Sequence, residues 1–208
     1  MAKRILFTTI YSADAVKIAI NKISGIDEIF YIVEENLQKD TSKEAKIKLE
    51  SIETLNKAYG DIIQIHALKV HDIYDISNIM LKVIEKIDSL LKEDEIFIHI
   101  SEGRKTLALG LLFAAYVRKE RIKDIYYVIK DENRLLSLPK LNFSINESKK
   151  KILKEINNGN EDKEKIRKEL GLSSISIIYQ YINELKAEGF ITNGEHLKIT
   201  ELGKVMIL

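Results

Sequence analysis

Apolar residues arrive in short runs separated by amphipathic stretches, and this alternation repeats along the first 140 or so positions. Residues 3–10 form a run of β-formers, after which Ser12 stands where a helix would begin; Val16, Ile18, Ala19, Ile20 and Ile23 are its apolar positions and Gly25 stops it. Residues 28–33 read as a second strand. Thr41-Ser-Lys-Glu44 has the form of a capping box and opens a helix ending at Gly60. Residues 62–66 predict a third strand, and after Asp72 the spacing of Ile76, Ile79, Met80, Val83, Ile84, Ile87 and Leu91 predicts a strongly amphipathic helix. A fourth strand ends at Ile100; a tight polar turn follows, and a helix runs from near Arg104 to about Lys119. Residues 124–130 make a fifth strand, and Asp131-Glu-Asn133 turns into a sixth, 134–138, which a hairpin makes antiparallel. Strands that are apolar nearly throughout, alternating with helices, predict an α/β fold: a Rossmann-like domain over residues 1–140 with a mostly parallel six-stranded sheet covered on both faces. Pro139, the only proline, closes it.

From about Asn142 the pattern changes. Asn146 is placed to cap a helix through Ile156 with Ile152, Leu153 and Ile156 inward, and Asn157-Asn-Gly-Asn160 breaks it. Residues 162–170 predict a second helix and 174–188 a third, with Ile177, Ile178, Tyr181, Ile182 and Leu185 inward. Phe190-Ile-Thr192, Asn193-Gly194 and residues 197–200 then read as a two-stranded hairpin. Three short helices and a hairpin are the order of a winged helix-turn-helix, assigned to residues 141–208. Its DNA-facing positions would be Ser174, Ser176, Tyr179, Gln180 and Asn183 on the third helix, with Lys163, Lys165, Arg167, Lys168 and the wing residue Lys198 within reach of phosphates. The alternative is a winged helix used for protein contact, since residues 141–208 hold 11 Lys plus Arg against 10 Asp plus Glu.

Composition narrows the classes. Lys plus Arg and Asp plus Glu number 33 and 32, so no bulk field draws the chain to nucleic acid or membrane, and any such binding is local. The absence of cysteine excludes a disulfide framework and a thiolate site. The N-terminus enters an apolar strand without the features of a signal peptide, and the longest apolar run, 107–117, is too short to span a bilayer; the expectation is a soluble cytoplasmic protein. That run lies on a helix apolar almost all round. Either it is deeply buried, or its outer face packs on a second copy across a two-fold axis, making a homodimer.

The turn after the first strand, Thr8-Thr-Ile-Tyr-Ser-Ala-Asp14, lacks the glycines of a dinucleotide-binding loop, and Glu102-Gly-Arg-Lys-Thr106 lacks the upstream glycine of a Walker A loop. His66, His71, His99 and His196 show no ligand spacing, so no metal site is expected. The stretch Glu95-Ile-Phe-Ile-His-Ile-Ser-Glu-Gly-Arg-Lys-Thr-Leu-Ala-Leu-Gly110 is different. A strand-turn-helix junction directs free backbone N–H groups at the carboxyl edge of the sheet, where they favour an anion. Arg104 and Lys105 in the first turn oppose the helix dipole unless an anion offsets them; an ordinary helix start is the competing reading. Thr8, Thr9, Tyr11 and Ser12 follow the first strand on the same rim. Together with Ser101, Glu102, Gly103, Arg104, Lys105 and Thr106 they make one candidate ligand site. No carboxylate pair or Ser/His/Asp arrangement accompanies them, so the sequence supports binding more strongly than catalysis.

Hydroxyl residues closing the first strand (Thr8, Thr9), the Ser-x-x-x-Lys arrangement Ser101-Glu-Gly-Arg-Lys105, and a C-terminal winged helix together resemble the CRISPR-associated CARF transcription regulators of archaea. The resemblance implies a homodimer binding a cyclic oligoadenylate, typically cyclic tetra-adenylate, across the two-fold axis, with no further cofactor. It also implies double-stranded DNA, the promoters of CRISPR loci, as the partner of paired winged helices. By position, Thr8, Thr9, Ser101, Gly103, Arg104, Lys105 and Thr106 would line the ligand site. Some CARF domains cleave their ligand without metal; in such a ring nuclease Lys105 or Arg104 would be the stabilising cation.

Overall fold

Six segments pair into one sheet: β1 (Arg4–Thr9), β2 (Glu28–Glu34), β3 (Gln64–Val70), β4 (Glu95–His99), β5 (Ile122–Ile129) and β6 (Arg134–Leu138). Their order is β3-β2-β1-β4-β5-β6. All neighbours are parallel except β5 and β6, which form the antiparallel hairpin. The computed structural model describes residues 2–140, 145–194 and 196–207. It divides into two units, Met1–Leu138 and Pro139–Leu208. The change of pattern expected near Asn142 lies outside the described residues.

Helices α1 (Ala13–Ile23) and α2 (Lys43–Tyr59) cover one face of the sheet, and α3 (Ile76–Asp88) and α4 (Lys105–Val117) the other. Alternate residues of each inner strand feed the two cores. Leu6, Ile29, Phe97 and Val128 meet Val16, Ile20 and Leu55. Ile5, Ile32, Ile96 and Ile98 meet Ile79, Val83, Leu107 and Leu111. This two-sided burial is why the strands are apolar throughout, and each such side chain stabilises the fold by about 1.5–3 kcal/mol. The chain runs outward from β1 in one direction through β2 and β3, then returns to the other side of β1 with β4. The switch point therefore falls between β1 and β4.

Several boundaries differ from the sequence expectation. The third strand lies at Gln64–Val70, not 62–66; Ile62 is 81% exposed, and β3 is an edge strand whose exposed residues include the polar Gln64, His66 and Lys69. The cap of α2 is Ser42, whose hydroxyl accepts from the Ala45 N–H, rather than Thr41. Helix α3 stops at Asp88, leaving Leu91 outside it. Ser12 occupies the cap position of α1, yet its hydroxyl caps nothing.

In the second unit, α5 (Glu147–Asn157), α6 (Lys163–Glu169) and α7 (Ile175–Ala187) pack around Ile152, Leu153, Ile166, Ile178, Leu185 and Phe190. Asn146, Asp162 and Ser174 cap the three helices through their side chains. Lys149 joins α5 to α7 through Glu184 at 2.9 Å and Glu188 at 3.2 Å. Of the five positions expected inward on α7, Ile178, Ile182 and Leu185 are buried, whereas Ile177 and Tyr181 are half-buried. The expected hairpin is a single antiparallel bridge, Ile191 to Ile199, flanked by hydrogen bonds from Thr192 N–H to the Lys198 carbonyl and from Thr200 N–H to the Phe190 carbonyl. A further short helix, α8 (Glu201–Val205), follows, capped by Thr200. No helix among the described residues is long and apolar enough to cross a membrane.

Candidate functional site

The carboxyl ends of β1, β4 and β5 surround a cleft of about 440 Å³ lined by Tyr11, Ser101, Glu102, Gly103 and residues 127–131. Register explains the grouping: Thr8 of β1 lies opposite His99 of β4, and His99 lies opposite Tyr126 of β5, so the segments following these positions meet at one rim.

The loop from Ser101 to Arg104 is bound tightly to the end of β1. Thr9 Oγ1 donates to the Glu102 carbonyl. Gly103 adopts φ +78°, and a Cβ there would lie 3.1 Å from Thr9 Cβ, so both its backbone angle and its surroundings favour glycine. Ser101 Oγ accepts the Val128 N–H at 2.5 Å and ties the same loop to β5. Glu102 is buried; its Oε2 accepts the Ser12 N–H at 3.1 Å, and its Oε1 pairs with Lys130 Nζ. Lys130 Nζ also donates to Ser12 Oγ at 3.0 Å, which is why that hydroxyl does not cap α1.

Beneath this loop, Thr8 and Thr9 are fully buried. Thr8 Oγ1 hydrogen-bonds His99 Nδ1 at 2.8 Å. The imidazole is itself buried, and burial, reinforced by the Lys130 ammonium, lowers its pKa to about 3. His99 is therefore neutral at physiological pH. The two threonines hold the rim from below; their hydroxyls do not line the cleft.

Arg104, Lys105 and Thr106 leave the cleft in another direction. Arg104 Nη2 pairs with Glu44 of α2 at 2.6 Å, and its guanidinium lies 5.5 Å from the centre of the Tyr74 ring. Thr106 Oγ1 donates to the Ile73 carbonyl at 2.5 Å. Lys105 is exposed, with no ion-pair partner among the described residues. Helix α4 has no side-chain cap and no acidic residue in its first turn, leaving its initial N–H groups available to an external acceptor. The rim thus has two polar parts: a cleft built around Glu102 and Lys130, and an uncapped helix start marked by Lys105.

Tyr127, Lys130 and Asp131 were missed by sequence reasoning. Their signal was the polar pair Lys130-Asp131 at the end of an apolar strand; the rim rule applied to β1 and β4 applies equally to β5 once the strand order is known. In the second unit, Ser176, Tyr179, Gln180 and Asn183 are exposed on α7, and Lys198 is exposed beyond the bridge. Ser174 is committed to capping, accepting the Ser176 N–H at 3.2 Å. Lys163 Nζ lies 5.5 Å from the Tyr179 ring centre.

A mostly parallel six-stranded sheet with helices on both faces makes the first unit a Rossmann-like α/β domain. A family model described as HFX_2341_N:-like, N-terminal, matches residues 8–133, more than half of the chain, and the chain belongs to that family. No curated protein matches it. Among solved structures, the Enterococcus italicus Csm6 bound to cyclic hexa-2'-fluoro-hexa-dAMP is similar over 89% of this chain and 50% of its own, with 12% identity and a TM-score of 0.54. The Vibrio cholerae protein VC1899 is similar over 98% of this chain and 64% of its own, with 13% identity and a TM-score of 0.52. Can2 from Sulfobacillus thermosulfidooxidans, in complex with cyclic tetra-adenylate, aligns over 98% of this chain and 56% of its own, with 13% identity and a TM-score of 0.49. The chain therefore spans about half to two thirds of the length of each of these structures.

Proposed function

We propose that the protein is a CARF-type sensor that binds a cyclic oligoadenylate at the rim of its first unit and acts as a DNA-binding regulator through its second. The observation that carries this reading is the uncapped start of α4 at the carboxyl edge of β4, with Lys105 exposed beside it and a polar cleft alongside. Free helix-initial N–H groups next to a cation form a phosphate site. Csm6, which shares the fold, is bound to a cyclic hexanucleotide analogue. A ring with two-fold symmetry also suits two copies of this rim, and the outward residues Leu109, Phe113 and Val117 of α4 supply an apolar face for a homodimer. Three capped helices followed by an antiparallel bridge support a winged helix in the second unit, with Ser176, Tyr179, Gln180 and Asn183 facing the major groove of double-stranded DNA.

The test is calorimetric titration of wild type and Lys105→Ala with cyclic tetra- and hexa-adenylate. Binding by wild type, weakened in the variant, is the expected result; absence of binding to either ring by wild type sinks the reading, and equal affinities remove Lys105 from the site. Incubating the same complexes with EDTA and analysing the nucleotide by mass spectrometry separates the two modes of action: intact ring for a sensor, linear product with turnover for a metal-independent ring nuclease.

A further inference from the structure

Resting on that reading, we propose that Glu102 is a displaceable internal anion: its carboxylate holds the place of a ligand phosphodiester at Lys130 and Ser12, and the ligand enters by expelling it. Three observations converge on this. First, the carboxylate is set in a polar cleft wall, with its side chain only 4% exposed, and each oxygen has one donor: Lys130 Nζ for Oε1 and the Ser12 N–H for Oε2. One ammonium and one N–H at the start of α1 are the donors that the two non-bridging oxygens of a phosphodiester accept, and a carboxylate presents the same single negative charge on a two-oxygen fork. Second, among the described residues Lys130 is the only cation lining the cleft, and its side chain is 46% exposed, so an incoming anion reaches it from solvent. Third, the cleft beside this pair is flanked by Tyr11 and Tyr127, exposed by 38% and 43% without a ring partner among the described residues; such faces accept a stacked base.

Glu102 and a phosphodiester compete for Lys130, because two anions on one ammonium repel and each weakens the other's hold on the shared counter-charge. The backbone allows the carboxylate to leave. The Glu102 carbonyl is held by Thr9 Oγ1 and Gly103 is fixed at φ +78°, so the loop stays in place while the side chain turns about its own torsions. Lys130, not Arg104 or Lys105, then becomes the principal phosphate contact within the cleft. The carboxylate also acts as a filter, since only an anion that replaces both of its hydrogen-bonded oxygens can compete with it.

The experiment compares the binding of cyclic tetra- and hexa-adenylate to wild type, Glu102→Gln, Lys130→Met and the double variant. Glu102→Gln keeps the size and an acceptor for Ser12 but removes the competing charge, and is expected to bind about tenfold tighter. Lys130→Met is expected to bind more weakly, and the double variant should show that the gain from Glu102→Gln needs Lys130. If the pair were only a structural brace, Glu102→Gln would bind equally or more weakly, and that result overturns the proposal. Should Glu102→Gln lose its cooperative thermal transition, Glu102→Asp replaces it: the shorter carboxylate cannot span both donors, so tighter binding than wild type supports the proposal and unchanged or weaker binding overturns it. If wild type binds neither ring, the functional reading fails separately. Pyrophosphate then serves as the probe: binding by Glu102→Gln at concentrations where wild type shows none retains the internal anion, and identical titrations overturn it.

Discussion

His99 enters the fold without a proton. The unfolded chain takes one up below about pH 6.5. The native chain, with the imidazole buried against Thr8 and near the Lys130 ammonium, does so only near pH 3. Between these values the unfolded state binds more protons, so stability must fall as pH is lowered from about 6.5 towards 3, by up to about 1.4 kcal/mol per pH unit, and this group contributes no slope above neutrality. Urea midpoints at pH 5 and pH 7 should therefore converge in His99→Gln relative to wild type. Gly103→Ala is expected to lower the unfolding free energy by about 1–2 kcal/mol, and with it the midpoint, at every pH, because an alanine at φ +78° carries the left-handed penalty and its methyl meets Thr9. The polar residues closing β1 and β4 were legible in sequence because they interrupt apolar runs. That Thr8 faces His99 and Thr9 faces the Glu102 carbonyl was not, since both contacts depend on the pairing of distant strands. The pairing of Lys130 was illegible for the same reason: its partners Glu102 and Ser12 come from two other strand ends.

Among the elements, α3 and α4 show how little room the core leaves. A Cβ on Gly110 would lie 2.5 Å from Ile79 Cγ2, so Gly110→Ala must push the two helices apart, at a cost of roughly 1–3 kcal/mol. Denaturant unfolding of Gly110→Ala, Ile79→Ala and the pair is expected to give a double variant less destabilised than the sum, because the smaller residue 79 makes space for the new methyl. The stripe of α4 bordering this contact carries Leu109, Phe113 and Val117, each between 40% and 49% exposed and spaced one helical turn apart. On the homodimer proposed above, Phe113→Glu should shift sedimentation equilibrium towards the monomer with little change in circular dichroism; an unchanged molecular weight would remove this face from the proposed interface. The helix was legible as unusually apolar, but sequence could not separate its buried residues Leu107, Gly110, Leu111, Ala114 and Ala115 from the exposed stripe Leu109, Phe113 and Val117. Edge strand β3 was misplaced because its outward residues Gln64, His66 and Lys69 dilute the apolar signal, while Ile62 and Ile63 supplied a false one just before it.

At the scale of the molecule, the strand–helix alternation up to Pro139 was legible, whereas the single antiparallel bridge from Ile191 to Ile199 and the helix α8 depend on packing that no local pattern encodes. If the second unit binds DNA as proposed, its near neutrality means that the affinity should rest on a few lysines. Lys163→Ala and Lys198→Ala are each expected to weaken binding across all sequences and to reduce the slope of log affinity against log salt by about 1, whereas Asn183→Ala should alter sequence preference at unchanged slope. Fluorescence anisotropy across a salt series distinguishes these outcomes. The strand order has a further effect, on how the protein comes into being. Thr8 pairs with His99 across 91 positions, so during synthesis one edge of the apolar central strand stays open until β4 has emerged. A nascent chain halted before Glu95 should be a chaperone client prone to strand-edge association, and the cleft at the rim is then among the last features of the first unit to form.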